Sequence, residues 1–307
     1  MADDLLSQPA DHRSGHIVIV GKPNVGKSTL FNALVGERLS IISPKPQTTR
    51  NNVLGILTKP RFQMLFLDTP GLLDPRYRLH ELMHHQIQAA LESADVLLCI
   101  VDASDFKHTF DEDTQKAFQK SGIPLILALN KTDLVTPDEV EHYKTLVEQA
   151  LNPQAILAVS AIAGTQIPEL LTTLEQALPL GPQFYPEDML ADQPERFFVA
   201  ELIREATFAQ LRQEVPYAIA VKVEEFRENR PKTYILANII VEKNSQKGIV
   251  IGKGGKTLKS IGKNARKNIE EFLESPVYLD LHVKVYENWR KKDVLLQNLG
   301  YSASKPY

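Results

Sequence analysis

Eight residues constrain this chain more than any others: Gly21-Lys-Pro-Asn-Val-Gly26-Lys27-Ser28. They match G-x-x-x-x-G-K-[ST] in full and stand between an apolar run, "HIVIV" from His16, and an amphipathic pattern, "STLFNALVG". The context is strand, loop, helix, and the loop chemistry is that of a phosphate cradle. The glycines let successive backbone N–H groups turn inward, and the helix N-terminus adds its dipole. Asn24 to Thr29 are therefore the candidate phosphate-binding residues. Within them Lys27 neutralises the β/γ-phosphate charge, and Ser28 offers a hydroxyl to Mg²⁺.

Short apolar runs of this kind recur. "FQMLFLDT" starts at Phe62, "VLLCIVDA" at Val96, "PLILALNK" at Pro124 and "AILAVSA" at Ala155; a further strand follows Arg50. The runs are almost wholly apolar rather than alternating, as in a parallel sheet covered on both faces. Helical patterns such as "IPELLTTLEQAL" lie between them, which makes the first half a doubly wound α/β domain over residues 16–178. Residues 1–15 read as a flexible tail with no signal peptide. The proline-rich 179–195 reads as an interdomain linker. Residues 196–292 then carry the pattern α-β-β-α-α-β, of the α+β kind; 293–307 read as a C-terminal tail, of which "NLGYSASKPY" looks loosely ordered.

Composition supports this division. The chain is 43% hydrophobic and 24% charged, a soluble globular profile without a membrane-spanning run. Its single cysteine, Cys99, excludes an internal disulfide and reads as a small core hydrophobe. The net charge of −3 conceals an asymmetry: residues 221–292 hold sixteen Lys and Arg against nine Asp and Glu, so the remainder is acidic.

The base specificity is also legible. "NKTD", Asn130 to Asp133, follows an apolar strand. The Asp133 carboxylate can accept from guanine N1–H and the 2-amino group, a donor pair adenine lacks. Asn130 would tie the loops around the base, Lys131 would lay its stem along it, and Ser160–Ala161 would present backbone N–H to the guanine carbonyl. Asp68, in "DTPG", is placed to hold Mg²⁺ through water, and Gly71 to bring an N–H to the γ-phosphate. "QTTR", Gln47 to Arg50, is a candidate switch whose threonine reaches Mg²⁺; Thr49 is favoured over Thr48 because it immediately precedes Arg50 and the next strand. Thr69, Pro70 and Leu72 complete a second switch with Asp68 and Gly71. Leu72 stands where Ras-like enzymes carry the glutamine that orients water. "HELMH", His80 to His84, matches a zinc-protease pattern, but its place just after "DTPGLL" suits a switch helix, and no third ligand is at hand. His12, His108 and His142 read as surface residues.

A second glycine-rich stretch, "GIVIGKGGKTLKSIG" from Gly248, imitates a phosphate loop but has Val250 where the first glycine should stand. What remains is a G-x-x-G, Gly252-Lys253-Gly254-Gly255, between two helices. Such a loop lets an RNA backbone approach closely and clamps roughly four nucleotides. Between Lys243 and Lys267 there are eight basic residues and no acid; Lys253, Lys256, Lys259 and Lys263 are the candidate phosphate partners.

The ordered set "GKPNVGKST", "QTTR", "DTPG", "NKTD" and "SA", followed by "VIGKGGKTLKSIGKNAR" and "VYENWR", resembles the Era family of bacterial GTPases over roughly residues 16–292. The resemblance implies a P-loop GTPase domain with a mostly parallel sheet, followed by a type II KH domain. It implies GTP and GDP as ligands with Mg²⁺. It further implies binding to the 3′ region of 16S ribosomal RNA, assistance to 30S subunit maturation, a monomeric cytoplasmic protein, and in some members peripheral association with the inner membrane. A hydrophobic residue at Leu72 is typical of this group. The alternative is a signalling GTPase whose basic C-terminal domain docks on a membrane or a protein; the G-x-x-G loop in a strand-containing module favours RNA. Because a leucine cannot orient water, Leu72→Gln is expected to bind GTP normally and to go on hydrolysing it. Single-turnover phosphate release checks this, and an inactive variant with normal GTP binding contradicts it.

Overall fold

The computed structural model describes residues 11–45, 47–71, 75–108, 121–228 and 231–302. The first domain comprises β1 (Arg13–Val20), α1 (Lys27–Val35), β2 (Val53–Lys59), β3 (Phe62–Asp68), α2 (Arg78–Glu92), β4 (Val96–Asp102), β5 (Leu125–Asn130), α3 (Pro137–Leu151), β6 (Ala155–Ala158) and α4 (Ile167–Ala177). The strands form one sheet in the order β2-β3-β1-β4-β5-β6, parallel except for the edge strand β2. Alternate side chains of each strand enter different cores. Ile17 and Ile19 pack with Phe31 and Leu34 of α1 and Leu170 of α4, whereas Val18 and Val20 join Ala90 of α2 and Val147 of α3. Burial on both faces is why the runs are apolar at every position. Gly55 in β2 is needed for this packing: a Cβ there would lie 2.7 Å from Phe31 Cζ and from Val35 Cγ2.

After β1 the chain pairs β3 on one side and then crosses to β4 on the other, which opens a crevice at the carboxyl ends of the strands. The phosphate loop follows β1, Asp68 ends β3, Asn130 ends β5 and Ser160 follows β6. One edge of the sheet thus gathers every nucleotide motif.

The segment between the domains differs from its composition. The residues read as an interdomain linker, 179–195, are stitched along the sheet. Leu180 bridges Arg13, Ala191 bridges Gly55, and Ile56 N–H donates to Leu190 O at 2.9 Å. The buried Gln63 amide oxygen accepts from Phe184 N–H (2.7 Å) and Tyr185 N–H (3.0 Å). Non-proline backbone groups in an apolar setting need partners, and the sheet edge supplies them. The same return covers His12, expected at the surface: it is buried, with Nδ1 2.8 Å from Gly181 O. β1 accordingly starts at Arg13, inside the stretch read as tail.

The second domain comprises α5 (Glu195–Gln210), β7 (Ala220–Arg227), β8 (Thr233–Val241), α6 (Asn244–Ile251), α7 (Lys256–Phe272) and β9 (Val277–Val285). β7 and β8 are antiparallel, β8 and β9 parallel. Val277, Leu279, Leu281, Val283 and Val285 all face one core with Ile261, Ala265 and Ile269 of α7. The stretch read as C-terminal tail begins with a short helix, α8 (Asp293–Asn298), whose Leu296 packs with Leu299, Tyr301 and Trp289. Its leucines and Tyr301 form an apolar face that the domain boundary needs. That cluster is shared between domains, because Leu79, Leu82 and Met83 of α2 enter it. No helix among the described residues is long and apolar enough to cross a membrane.

Trp289 is fully buried at this seam and donates Nε1–H to Ala218 O at 3.0 Å. Trp289→Ala is expected to destabilise the second domain by about 3–5 kcal/mol, measured by urea denaturation.

Candidate nucleotide site and RNA-facing loop

The phosphate loop owes its shape to what lies beneath it. Gly26 sits at φ 99°, and a Cβ there would fall 2.3 Å from Asn130 Nδ2. Asn130 is itself buried, donating Nδ2–H to Val25 O at 2.9 Å and accepting Ala161 N–H on Oδ1 at 3.0 Å. Lys27 is buried and donates Nζ–H to Gly21 O (3.0 Å) and Lys22 O (2.8 Å). Burial pulls its pKa down to about 8, partly opposed by Asp68. The ammonium is thus stored against backbone carbonyls in an environment that disfavours its charge, where an anion would restore it.

A cavity of about 300 Å³ stands over this loop. Asn24, Gly26, Lys27, Ser28, Thr29, Thr48, Thr49, Gly71 and Lys131 line it, with Ile41, Ser43, Lys45 and Gln47 on the far wall. Below lies Asp68, fully buried. Its Oδ2 accepts from Ser28 Oγ (2.8 Å), Ser40 Oγ (2.8 Å) and Thr49 Oγ1 (3.3 Å), and Ser28 Oγ lies 3.0 Å from Thr49 Oγ1. Burial pushes the Asp68 carboxyl up, and the hydroxyls and Lys27 pull it back. Asp68 Oδ1 is buried with no hydrogen-bond partner. An all-oxygen donor set with an orphaned carboxylate oxygen fits a hydrated Mg²⁺. The structure separates the two threonines: Thr49 reaches this cluster, whereas Thr48 Oγ1 turns back to Lys45 O at 2.6 Å. Thr69 Oγ1 donates to Ile19 O at 2.8 Å, which anchors the start of the second switch to β1; Pro70 is buried beside it. Leu72 lies outside the described residues.

At the base end, Asp133 is exposed, and its Oδ1 accepts from Ser160 Oγ at 2.6 Å. The Ala161 N–H, expected to face a guanine carbonyl, donates instead to Asn130, the nearest acceptor across the loop. Lys131 Nζ bridges Asn24 O (2.9 Å) and Asp102 Oδ2 (2.5 Å). Of the histidines in "HELMH", His80 is buried against the Tyr77 ring, centroids 3.9 Å apart, and His84 is exposed.

The first switch segment does not stand free. Glu205 of α5 takes Arg38 Nη2 at 2.6 Å and Ile42 N–H at 2.9 Å. Lys45 Nζ donates to Phe208 O and Leu211 O, and Arg204 donates to Thr48 O. Arg50 is buried between the domains, donating to Ile219 O (2.5 Å) and Tyr217 O (3.1 Å) with Phe208 and Trp289 rings beside it. The second domain therefore holds both residues next to Thr49, Thr48 by its carbonyl and Arg50 by its guanidinium.

The second glycine loop lies between α6 and α7, and all its glycines have positive φ: 72° at Gly252, 60° at Gly254, 75° at Gly255. A Cβ at Gly252 would meet Thr257 Oγ1 at 2.1 Å, whereas Gly254 and Gly255 face open space. Lys253 in the loop is exposed, as are Lys256, Lys259 and Lys263 on the side of α7 opposite Ile261, Ala265 and Ile269.

Motif reading missed Asn32, Ser40, Asp102, Arg204 and Glu205. Asp102 has a usable signal, since it ends β4 in register with Asn130. The others are isolated polar residues whose partners are distant in sequence.

A phosphate loop after β1, an exposed carboxylate after β5 and a helix-flanked G-x-x-G are the features of a nucleotide enzyme with an appended nucleic-acid module. Residues 16–131 match the model of the 50S ribosome-binding GTPase family, and 214–290 match the KH domain. GTPase Era of Carboxydothermus hydrogenoformans is 44% identical over 293 residues, covering 95% of this chain and 98% of that protein. The chloroplastic GTPase ERA1 of Zea mays is 41% identical, covering 95% of this chain and 71% of the relative. A crystal structure of Era with MgGDPNP and nucleotides 1506–1542 of 16S ribosomal RNA matches with TM-score 0.90 and 39% identity, over 95% of this chain and 99% of that one. An Aquifex aeolicus Era variant bound to GDP·AlF4⁻ matches with TM-score 0.90 and 39% identity, over 94% and 99%. The chain belongs to the Era family of GTPases.

With Lys27 at about pKa 8, triphosphate binding selects the protonated form. GTP affinity is therefore expected to be flat below about pH 7, to be about halved at pH 8 and to be down about tenfold by pH 9. Titration with a fluorescent GTP analogue measures this, and Lys27→Arg, which stays charged, is expected to flatten the profile.

Proposed function

We propose that this protein is a monomeric, cytoplasmic, GTP-driven RNA clamp that holds the 3′ region of 16S ribosomal RNA and assists maturation of the 30S subunit, with any membrane contact peripheral. The observation that carries the reading is the seating of Thr48 and Arg50 on the second domain, beside the residue assigned to the metal. A change at the γ-phosphate cannot move Thr49 without straining those bonds, so hydrolysis and the RNA module share one switch.

In this reading Asn24 to Thr29 hold the phosphates, Gly71 offers its N–H to the γ-phosphate, and Asn130, Lys131, Asp133, Ser160 and Ala161 shape the guanine site. Ser28, Thr49 and Asp68 would hold Mg²⁺, which supplies neutralising charge between the β- and γ-phosphates. Gly252 to Gly255 clamp the RNA backbone, with Lys253, Lys256, Lys259 and Lys263 as phosphate partners. The RNA assignment rests on the relative whose complex contains nucleotides 1506–1542 of 16S ribosomal RNA.

Gly254→Asp is the clean probe, because its Cβ meets nothing within 4 Å and aspartate tolerates φ 60°. It is expected to weaken binding of a 16S 3′-end oligonucleotide about fivefold or more while leaving GTP affinity unchanged. Fluorescence anisotropy at several salt concentrations measures both. Wild-type RNA affinity that does not fall with salt, or tighter binding to anionic vesicles than to RNA, contradicts the proposal.

A further inference from the structure

Ser40 belongs to no recognisable motif, yet it is buried against Asp68, the carboxylate on which the metal cluster converges. Its position is fixed from the phosphate-loop helix. Asn32 of α1 accepts Leu39 N–H (3.1 Å) and Ser40 N–H (2.9 Å) on Oδ1 and donates Nδ2–H to Ser40 O (2.7 Å). One side chain thus satisfies both backbone groups of Ser40 and leaves its hydroxyl to donate to Asp68 Oδ2 at 2.8 Å.

We propose that Ser40 is a positioning residue for Mg²⁺: it locks the Asp68 carboxylate so that Oδ1 is the oxygen available to the hydrated ion. The inference rests on reading Ser28, Thr49 and Asp68 as the metal cluster. Three hydroxyls lie on Asp68 Oδ2, and Oδ1 has no partner. Ser28 and Thr49 have oxygens assigned to the ion, and the place of Thr49 depends on the switch. Ser40 has no such second duty and is tied to the same helix as Lys27 and Ser28. Without its hydroxyl the carboxylate loses one of its buried donors and gains freedom to rotate, and groups that orient metal-site residues in this way typically govern affinity by tenfold or more.

The test is the Mg²⁺ concentration that half-maximally slows release of a fluorescent GDP, with release in EDTA as the reference. Ser40→Ala and the near-isosteric Ser40→Cys are expected to raise that midpoint about tenfold with release in EDTA unchanged. Ser40→Thr, which keeps the hydroxyl, is expected to retain the wild-type midpoint. Wild-type midpoints in both Ser40→Ala and Ser40→Cys, alongside a shifted Ser28→Ala, overturn the proposal while leaving the metal cluster standing. Faster release in EDTA for Ser40→Ala and Ser40→Cys, by the same factor as in Mg²⁺, overturns it as well, because it marks a general loss of structure. If wild-type release does not respond to Mg²⁺, the metal-cluster reading itself fails.

Discussion

The Asn130 side chain is the contact on which the nucleotide site depends. Its amide holds the Val25 carbonyl of the loop after β1 and the Ala161 N–H of the loop after β6, while its own backbone ends β5. Three loops from three strands are tied by one buried side chain, and each polar atom of that amide has a partner. Losing it would leave a buried carbonyl and a buried N–H unpaired, each costing about 1–3 kcal/mol. The requirement propagates back to sequence: Gly26 is glycine because Asn130 occupies the space a Cβ would take. Two motifs more than a hundred residues apart are thus a single steric arrangement.

The contact between the domains follows a different logic. Arg50 and Arg204 are both buried there, and each keeps a guanidinium nitrogen without a partner, Nε in Arg50 and Nη1 in Arg204. Burial and the neighbouring Arg204 both disfavour the Arg50 charge. An interface built for permanence would bury leucine at such positions, since buried charge is weak evidence for stability. The two differ in how the cost of burial is met: carbonyls of the second domain hold the Arg50 guanidinium with no carboxylate of the described residues beside it, whereas Arg204 is paired with Glu201, which favours its charge. That suits a contact whose strength a neighbouring site can alter.

Much of this architecture was legible in the residues. The phosphate loop, "NKTD" and "DTPG" are local motifs whose chemistry and spacing lie within a few positions. The strands were legible because burial on both faces leaves uninterrupted apolar runs. What escaped depends on contacts between distant segments. Ser40 and Asn32 are ordinary surface-type residues until the fold sets Ser40 on Asp68 and Asn32 on the backbone of Ser40. The stretch 179–195 reads as a linker from its prolines, and nothing local says that Gln63 accepts the N–H groups of Phe184 and Tyr185. The helix at Asp293–Asn298 was hidden because the partner for its leucines is α2 of the other domain.

That stitched segment has a consequence for the reach of the molecule. With the chain held along the sheet up to Ala191 and α5 starting at Glu195, only Asp192, Gln193 and Pro194 remain as slack. Three residues span roughly 10 Å at full extension. A domain released from the interface therefore stays within arm's length of its partner, at an effective concentration on the millimolar scale of short tethers. Opening becomes a pivot about a short strap rather than a departure, and re-docking is a local search that needs no diffusion through the cell.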